Sequence, residues 1–158
     1  MKYISFVIIL FVLSACSPKL NTQTEITENE EKIMKDLIQD VFDDIWSVRE
    51  PDNLLKYHTP DFIILEHGEV WDNETIQNWM KGRIEKGNIP RRVNRMEYIS
   101  IDKYGPSIQA AYHNFAEFYQ ADTLAFEASW LESAVAVPTE DGWRLKMMHS
   151  TRMPRKQN

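Results

Sequence analysis

Apolar residues recur every three or four positions between Thr27 and Ser47, which is the spacing of one helix face. The apolar positions are Ile33, Met34, Leu37, Ile38, Val41, Phe42, Ile45 and Trp46. Thr27 and Glu30 have the spacing of a capping box, and acidic residues crowd the first turn. We therefore predict a first helix that starts after Thr27 and packs a wide apolar face on a large core.

A second group of shorter elements is predicted between this helix and Pro90. Because proline favours the first helical position, a helical turn is expected at residues 51–57. A hairpin at residues 62–71 comes next, followed by a helix that is capped by Asp72 or Asn73 and ends near Gly87. His58 and His67 fall between these elements, so we expect them to be solvated or capping groups in loops.

The pattern changes beyond Pro90, where four segments have the composition of strands. They cover residues 93–101, 108–119, 126–137 and 143–152, and turn sequences separate them. Helices followed by a run of antiparallel strands predict the α+β fold class.

The first fifteen residues have the organisation of an export signal. Lys2 gives a positive start, and residues 3–13 form an apolar run in which Ser5 is the one polar member. This run is too short to span a membrane, because a helix needs ~20 residues to cross the hydrocarbon core. The following Leu13-Ser14-Ala15-Cys16 resembles the lipobox of bacterial lipoproteins, which implies cleavage before Cys16 and acylation of its sulfur. A plain secretory signal and a short N-terminal anchor are the alternatives.

These features predict a precursor with four parts. Residues 1–15 are a removable signal peptide, residues 16–28 a lipidated cysteine and flexible tether, residues 29–153 one domain, and residues 154–158 a basic tail. Acyl chains such as palmitate would anchor the mature protein to a membrane, since several chains together bind stably. We therefore expect export from the cytoplasm and a location in the bacterial cell envelope.

The net charge and the small numbers of histidine and cysteine residues limit the partners and cofactors that can be expected. A net charge of −6 argues against a nucleic-acid partner. Cys16 is the only cysteine, so no intramolecular disulfide can form. The four histidines lack metal-binding spacing, and we expect neither a metal nor another cofactor. We interpret two basic groups as solvated surface: Arg91, Arg92 and Arg95, and the tail residues Arg152, Arg155 and Lys156.

Three short motifs, in order along the chain, resemble the nuclear transport factor 2-like superfamily, specifically its SnoaL-like and ketosteroid isomerase-like branches. They are Tyr57-His58-Thr59-Pro60-Asp61-Phe62, then Trp71-Asp72-Asn73, then Gly142-Trp143-Arg144-Leu145 followed by His149-Ser150. The resemblance covers residues 30–152. It implies a curved antiparallel sheet wrapped around the N-terminal helices, forming a cone with a pocket and often a dimer through the sheet. Met147 departs from the family pattern, because many relatives have a histidine at that position.

Strand alternation predicts which side chains face the pocket. On the last strand the more apolar side contains Trp143, Leu145, Met147, His149 and Thr151. On the second long strand it contains Ile108, Ala110, Tyr112, Asn114, Ala116 and Phe118. The third long strand is ambiguous, and we favour the side of Ala128, Trp130, Glu132 and Ala134. That choice places Glu132 where His149 can pair with it.

Functions of three classes remain open. The first is a binding module for a small, largely apolar molecule. Its predicted pocket residues are Tyr57, Trp71, Trp79, Asn114, Trp130, Met147 and Thr151. The second, which the resemblance implies, is a cofactor-independent acid–base enzyme of the isomerase or cyclase type, with His149 or Glu132 as base and Tyr112 as donor. Against it, we favour the interpretation of His149 as a hydrogen-bonded core residue, because polar pocket walls serve binding as readily as chemistry. The third is an interaction module that docks a partner or a second copy on its outer sheet face.

Overall fold

The two parts of the chain that the computed structural model describes are residues 23–87 and 89–154. The predicted signal peptide, Cys16, Arg155 and Lys156 lie outside these ranges. Within the ranges, no helix combines the length and the apolar character needed to cross a membrane.

The first helix, α1, spans Glu28–Val41 and begins at the predicted capping box. Glu30 N donates to Thr27 Oγ1 over 3.2 Å, and Thr27 N donates to Glu30 Oε2 over 3.1 Å. A π-helical turn, Phe42–Ser47, continues the helix. The buried residues of this layer are Met34, Leu37, Ile38, Val41, Phe42 and Ile45. The predicted helix, its cap and its apolar face are confirmed.

Short elements connect α1 to the main sheet. They are a 3₁₀ turn at Pro51–Asn53, α2 (Leu54–Tyr57), β2 (His58–Glu66), β3 (Glu69–Asp72) and α3 (Asn73–Glu85). Asp72 caps α3 by accepting a hydrogen bond of 2.8 Å from Thr75 N. The hairpin turn between β2 and β3 uses positive φ at His67 and Gly68, 52° and 83°.

His58 is the first residue of β2 and is buried, so the prediction that it is a solvated or capping loop residue is wrong. Its ring stacks on Phe62 with the centroids 3.7 Å apart, and Nδ1 lies 2.9 Å from Asn73 Oδ1. Burial lowers the pKa of His58 to about 4, although the contact with Asn73 opposes the shift. The strand runs through Pro60 because its pairing with the last strand is irregular between His58 and Ile63.

Four long strands follow in antiparallel order. They are β4 (Arg91–Tyr104), β5 (Ser107–Gln120), β6 (Thr123–Thr139) and β7 (Gly142–Arg152). With the edge strand β1 (Gln23–Thr24), the order of the sheet is β1-β4-β5-β6-β7-β2-β3, and β2 is parallel to β7. The sheet is curved and unclosed and forms a cone with the helices, which confirms the predicted α+β class.

The edge strand β1 consists of Gln23–Thr24 and pairs with Lys103 and Tyr104 of β4. Ile26 also packs against the core. The last residues of the predicted flexible tether therefore join the domain, and the prediction is corrected there.

Regular pairing preserves side-chain alternation through most of β5 and β6. The buried residues of β5 are Ile108, Ala110, Tyr112, Asn114, Ala116 and Phe118. Those in the predicted stretch of β6 are Ala128, Trp130, Glu132, Ala134 and Ala136. The predicted inward faces of these two strands are confirmed.

A bulge in β7 reverses which of its side chains face the helices. The pairing with β6 shifts at Lys146, which is an extra residue without an opposite partner. Leu145 is buried before the bulge and Ser150 after it. An inserted residue breaks simple alternation, so the inward orientation predicted for three residues is wrong: Met147, His149 and Thr151.

Candidate functional site

A row of four buried polar side chains crosses the inner face of the sheet. Asn94, Asn114, Glu132 and Ser150 come from β4, β5, β6 and β7, and none is more than 6% exposed. Asn94 Nδ2 donates to Asn114 Oδ1 over 2.6 Å, and Asn114 Nδ2 donates to Glu132 Oε2 over 3.1 Å. Ser150 Oγ completes the row with a 3.1 Å hydrogen bond to Glu132 Oε1. We call these residues the polar row.

The polar row separates two apolar clusters along the strands. On β5, Tyr112 belongs to the main core and Ala116 to a smaller cluster, with Asn114 between them. The smaller cluster comprises Ala116, Phe118, Ala128 and Trp130. Burying polar groups costs free energy unless their hydrogen bonds are made, so a continuous row inside a core of this size requires an explanation beyond packing.

Glu132 is the one carboxyl of the row, and its environment brings it to titrate near neutrality. Burial raises its pKa to about 7, while hydrogen bonds from Asn114 and Ser150 and the nearby charge of Arg92 oppose the rise. Tyr112 stands opposite Glu132 on β5 and is fully buried. Burial, and then the proximity of Glu132, raise the pKa of Tyr112 well above its ordinary value. Glu132 can therefore exchange a proton beside a neutral phenol at physiological pH.

Arg92 is the second residue of β4 and lies on the same side of that strand as Asn94. Its guanidinium lies over three rings, 5.3 Å from the centroid of Phe42, 5.6 Å from Phe118 and 5.0 Å from Trp130. Burial lowers the pKa of Arg92 to about 10, with Glu132 opposing the shift, so the group remains a cation at neutral pH. The interpretation of Arg92 as solvated surface is wrong, whereas Arg91 and Arg95 beside it are exposed.

Further charges surround this aromatic end of the cone. The positive charges of Arg49 and Arg152 lower the pKa of Arg92, and the negative charge of Glu66 raises it. The Arg152 guanidinium lies 5.1 Å from the Trp130 ring centroid. Glu66 faces Ser150 in the β2–β7 pairing, and His67 Nε2 lies 2.8 Å from its Oε1. Three cations and two carboxyls thus meet where the rings of Phe42, Phe118 and Trp130 line the cone.

Two open grooves reach this end of the molecule. The first has a volume of about 470 Å³ and is lined by Leu65, His67–Val70 and His149–Arg152. The second has a volume of about 450 Å³ and is lined by Ser47–Arg49, Ile84 and Ile89–Arg91. Ser150 and Arg152 line the first groove and Arg49 lines the second, so solvent reaches both flanks of the charged region. Across residues 23–87 and 89–154, no group of three histidine, cysteine or acidic side chains has the arrangement of a metal site.

The structure brings four of the predicted site residues together: Tyr112, Asn114, Trp130 and Glu132. The three outward-facing residues of β7, Met147, His149 and Thr151, are separated from the polar row by the sheet itself. The predicted acid–histidine pair between Glu132 and His149 is therefore absent.

The remaining predicted pocket residues lie in other surroundings. Trp79 packs against Trp46 and Trp71 with ring centroids 6.0 Å and 5.9 Å apart, and Trp79 is 40% exposed. Tyr57 is buried in the main core and donates a hydrogen bond to Asp44. Because of these contacts, we interpret Tyr57, Trp71 and Trp79 as packing residues.

The sequence prediction missed Arg92, Asn94 and Ser150. A signal for the first two was available, because alternation along β4 puts Arg92 and Asn94 on the side of Met96 and Tyr98. No such signal existed for Ser150, whose orientation depends on the bulge at Lys146.

Comparison with solved structures identifies the fold. An NTF2-like protein from Cytophaga hutchinsonii superposes with a TM-score of 0.62 at 14% identity, covering 79% of this chain and 99% of that one. The fold is nuclear transport factor 2-like. A ketosteroid isomerase-like protein from Erwinia carotovora atroseptica gives a TM-score of 0.61 at 9% identity, covering 82% and 100%. An NTF2-like superfamily protein from Salmonella enterica serovar Typhimurium gives 0.59 at 13% identity, covering 80% and 95%.

At these identities the nuclear transport factor 2-like resemblance extends to the fold alone, which carries ligand-binding and enzymatic members. No protein-family model and no curated protein matches the sequence. The function must therefore be argued from the polar row and its surroundings.

Proposed function

We propose that this protein is an exported, lipid-anchored binding protein of the bacterial cell envelope. Its nuclear transport factor 2-like domain would hold a small, largely apolar molecule at the aromatic end of the cone. The observation that carries the proposal is the polar row buried beside the aromatic rings of Phe42, Phe118 and Trp130. A mostly apolar wall with a few fixed polar groups is the usual composition of a small-molecule site.

Unmade hydrogen bonds support a ligand at this position. Asn94 Oδ1 and Arg92 Nε are inaccessible to solvent and have no partner among the residues that the structure describes. Asn94 belongs to the polar row and Arg92 to its immediate surroundings. Orphaned buried polar atoms are rare in native proteins, and a ligand that supplies the missing partners accounts for them.

Native mass spectrometry of the full-length protein, extracted from its own membranes in detergent, tests binding. We expect an additional non-covalent mass that is lost on collisional activation. Trp130→Ala should remove this mass, because Trp130 lines the aromatic end. Trp79→Ala is the matched control and should keep the additional mass, since Trp79 packs against Trp46 and Trp71. A ligand-free wild type, or equal loss in both variants, contradicts the proposal.

The membrane anchor requires its own experiment. Cys16→Ser removes the only acylation site that the lipobox resemblance implies, so the variant should leave the detergent phase in a partition assay. Ser17→Ala is the control and should partition like the wild type. A native polypeptide that begins with Met1 and carries no acyl mass would contradict both the anchor and the proposed location.

A second candidate function is proton transfer, and the pairing of Glu132 with Tyr112 favours it. A carboxyl with a pKa about 7 beside a buried phenol can act as acid–base catalyst and hydrogen-bond donor. Exchange of the α-hydrogens of cyclic ketones in D₂O, followed by NMR, tests this activity. Glu132→Gln should abolish any exchange above buffer, and His149→Ala should leave it unchanged. Exchange that survives Glu132→Gln rules out this role.

A homodimer through the outer sheet face stays a prediction. That face exposes Val93, Ile99 and Leu131 by 41%, 58% and 41%. Analytical ultracentrifugation of the detergent-solubilised protein and of Ile99→Lys checks it, and a wild type that sediments as a monomer contradicts it.

A further inference from the structure

Arg92 makes no ion pair or hydrogen bond with any residue in the described part of the chain. Its Nε is enclosed without a partner, and its contacts are with the rings of Phe42, Phe118 and Trp130. The ion pairs among residues 23–87 and 89–154 all involve other residues. They are formed by Lys32, Lys35, Lys56, His67, Arg95, Lys103, Arg144 and Lys146.

A half-buried cation that has no direct ion pair is costly, even where aromatic faces compensate part of the lost hydration. Arginine cannot avoid this cost by losing its charge, because it keeps its proton at neutral pH. Glu132, the carboxyl with the largest effect on the charge of Arg92, already accepts hydrogen bonds on both oxygens from Asn114 and Ser150. The guanidinium edge of Arg92 therefore has no partner within residues 23–87 and 89–154 and can bind a ligand group.

The sign of the local field agrees with an anionic partner. Although the whole chain carries −6, Arg49 and Arg152 add positive charge near Arg92. The negative charge of Glu132 is reduced, since burial raises its pKa to about 7 and it accepts hydrogen bonds from Asn114 and Ser150. Focused positive potential in a low-dielectric recess raises the local concentration of an anion.

We propose, resting on the function proposed above, that the bound molecule is a monocarboxylate with an apolar body, held by Arg92 through its carboxylate. The planar guanidinium matches a carboxylate in a bidentate arrangement. The rings of Phe42, Phe118 and Trp130 contact the apolar body, and Tyr112 offers an additional hydroxyl. One negative charge suits the recess better than two, because Glu132 and Glu66 would repel a dianion such as phosphate.

The test compares 3-phenylpropanoate with its neutral amide, 3-phenylpropanamide, on the full-length protein in detergent, by calorimetry. Because hydrogen bonds to charged groups are stronger than neutral ones, we expect the carboxylate to bind at least about tenfold more tightly than the amide. Inorganic phosphate should bind more weakly than the carboxylate. Arg92→Met should remove the preference for the carboxylate, and Arg92→Lys should retain only part of it.

Arg95→Met is the matched control, because Arg95 is exposed on the opposite face of β4 and lies 4.7 Å from the Phe115 ring. It should leave the preference unchanged. Thermal unfolding of both methionine variants verifies that they are folded, and the wild-type comparison of carboxylate with amide does not depend on either.

The outcomes separate the two proposals. Equal binding of carboxylate and amide overturns the inference and leaves the binding function standing. A preference that survives Arg92→Met also overturns it. If neither probe binds and native mass spectrometry finds no bound ligand, the binding function fails as well.

Discussion

Ser150 donates a 3.1 Å hydrogen bond to Glu132 across the β6–β7 pair, so a small hydroxyl directly supports the buried carboxyl. Because this bond stabilises the charged form, Ser150→Ala should raise the pKa of Glu132 above its value of about 7. A ¹³C NMR titration of the Glu132 side-chain carboxyl measures the change. His149→Ala is the neighbouring control on the exposed face of β7 and should leave the titration where it is. An equal shift of the Glu132 pKa in both variants would show that loss of the hydrogen bond is not its cause.

Glu132 should make the stability of the domain fall as the pH rises toward neutrality. In the unfolded chain it ionises near its ordinary pKa of 4.5, whereas the folded protein holds the proton until about pH 7. The wild type should therefore lose about 3 kcal/mol of unfolding free energy relative to Glu132→Gln between pH 4.5 and 7, and no more above that. Urea unfolding of both proteins across this range gives the difference. A difference that does not vary with pH contradicts the raised pKa.

His58 should make the stability of the domain fall as the pH decreases, which is opposite to the effect of Glu132. Its folded pKa of about 4 lies below the ordinary 6.5, so the unfolded chain takes up a proton first as the pH falls. Relative to His58→Asn, the wild type should lose up to about 3 kcal/mol as the pH falls from 6.5 through 4. His67→Asn is the control, because His67 is 58% exposed and its positive φ suits asparagine. A pH-dependent difference in the control as large as that of His58→Asn would refute the assignment.

The capping box of α1 should contribute measurably to stability. Thr27→Ala removes the side-chain acceptor for Glu30 N, which should cost about 1 kcal/mol of unfolding free energy. Thr27→Ser keeps a hydroxyl at the same position and should recover most of the loss. Thermal and urea unfolding at pH 7 measure the stability of both variants. An alanine variant as stable as the wild type would show that the cap does not contribute to the free energy of unfolding.

The elements with uninterrupted periodicity were predicted well from the sequence. The apolar rows from Ile33 to Trp46 gave a correct buried face even though the helix passes into a π-helical turn at Phe42. The alternation around Asn114 also gave a correct buried face, since the pairing of β5 with β6 is regular there. The same alternation argument gave the wrong face after Lys146. The two outcomes differ by one inserted residue, whose presence no composition or charge pattern indicates.

The candidate site was predicted in part for a related reason. Glu132, Asn114 and Tyr112 followed from strand parity, but the role of Arg92 depended on what packs above it. Phe42, Phe118 and Trp130 lie far apart in the sequence, and only the closure of α1 onto the curved sheet brings their rings around one guanidinium. In the sequence alone, Arg92 stands in a basic group that is typical of solvated surface.

The sequence by itself determined the order of the elements, the α+β class and the buried faces of α1, β5 and β6, because these depend on local periodicity. The tertiary structure alone decided that Ser150 and not His149 faces Glu132, and that Arg92 is enclosed. Those two facts depend on strand register and on contacts between distant segments, where a shift of one residue exchanges the inside of the sheet for the outside.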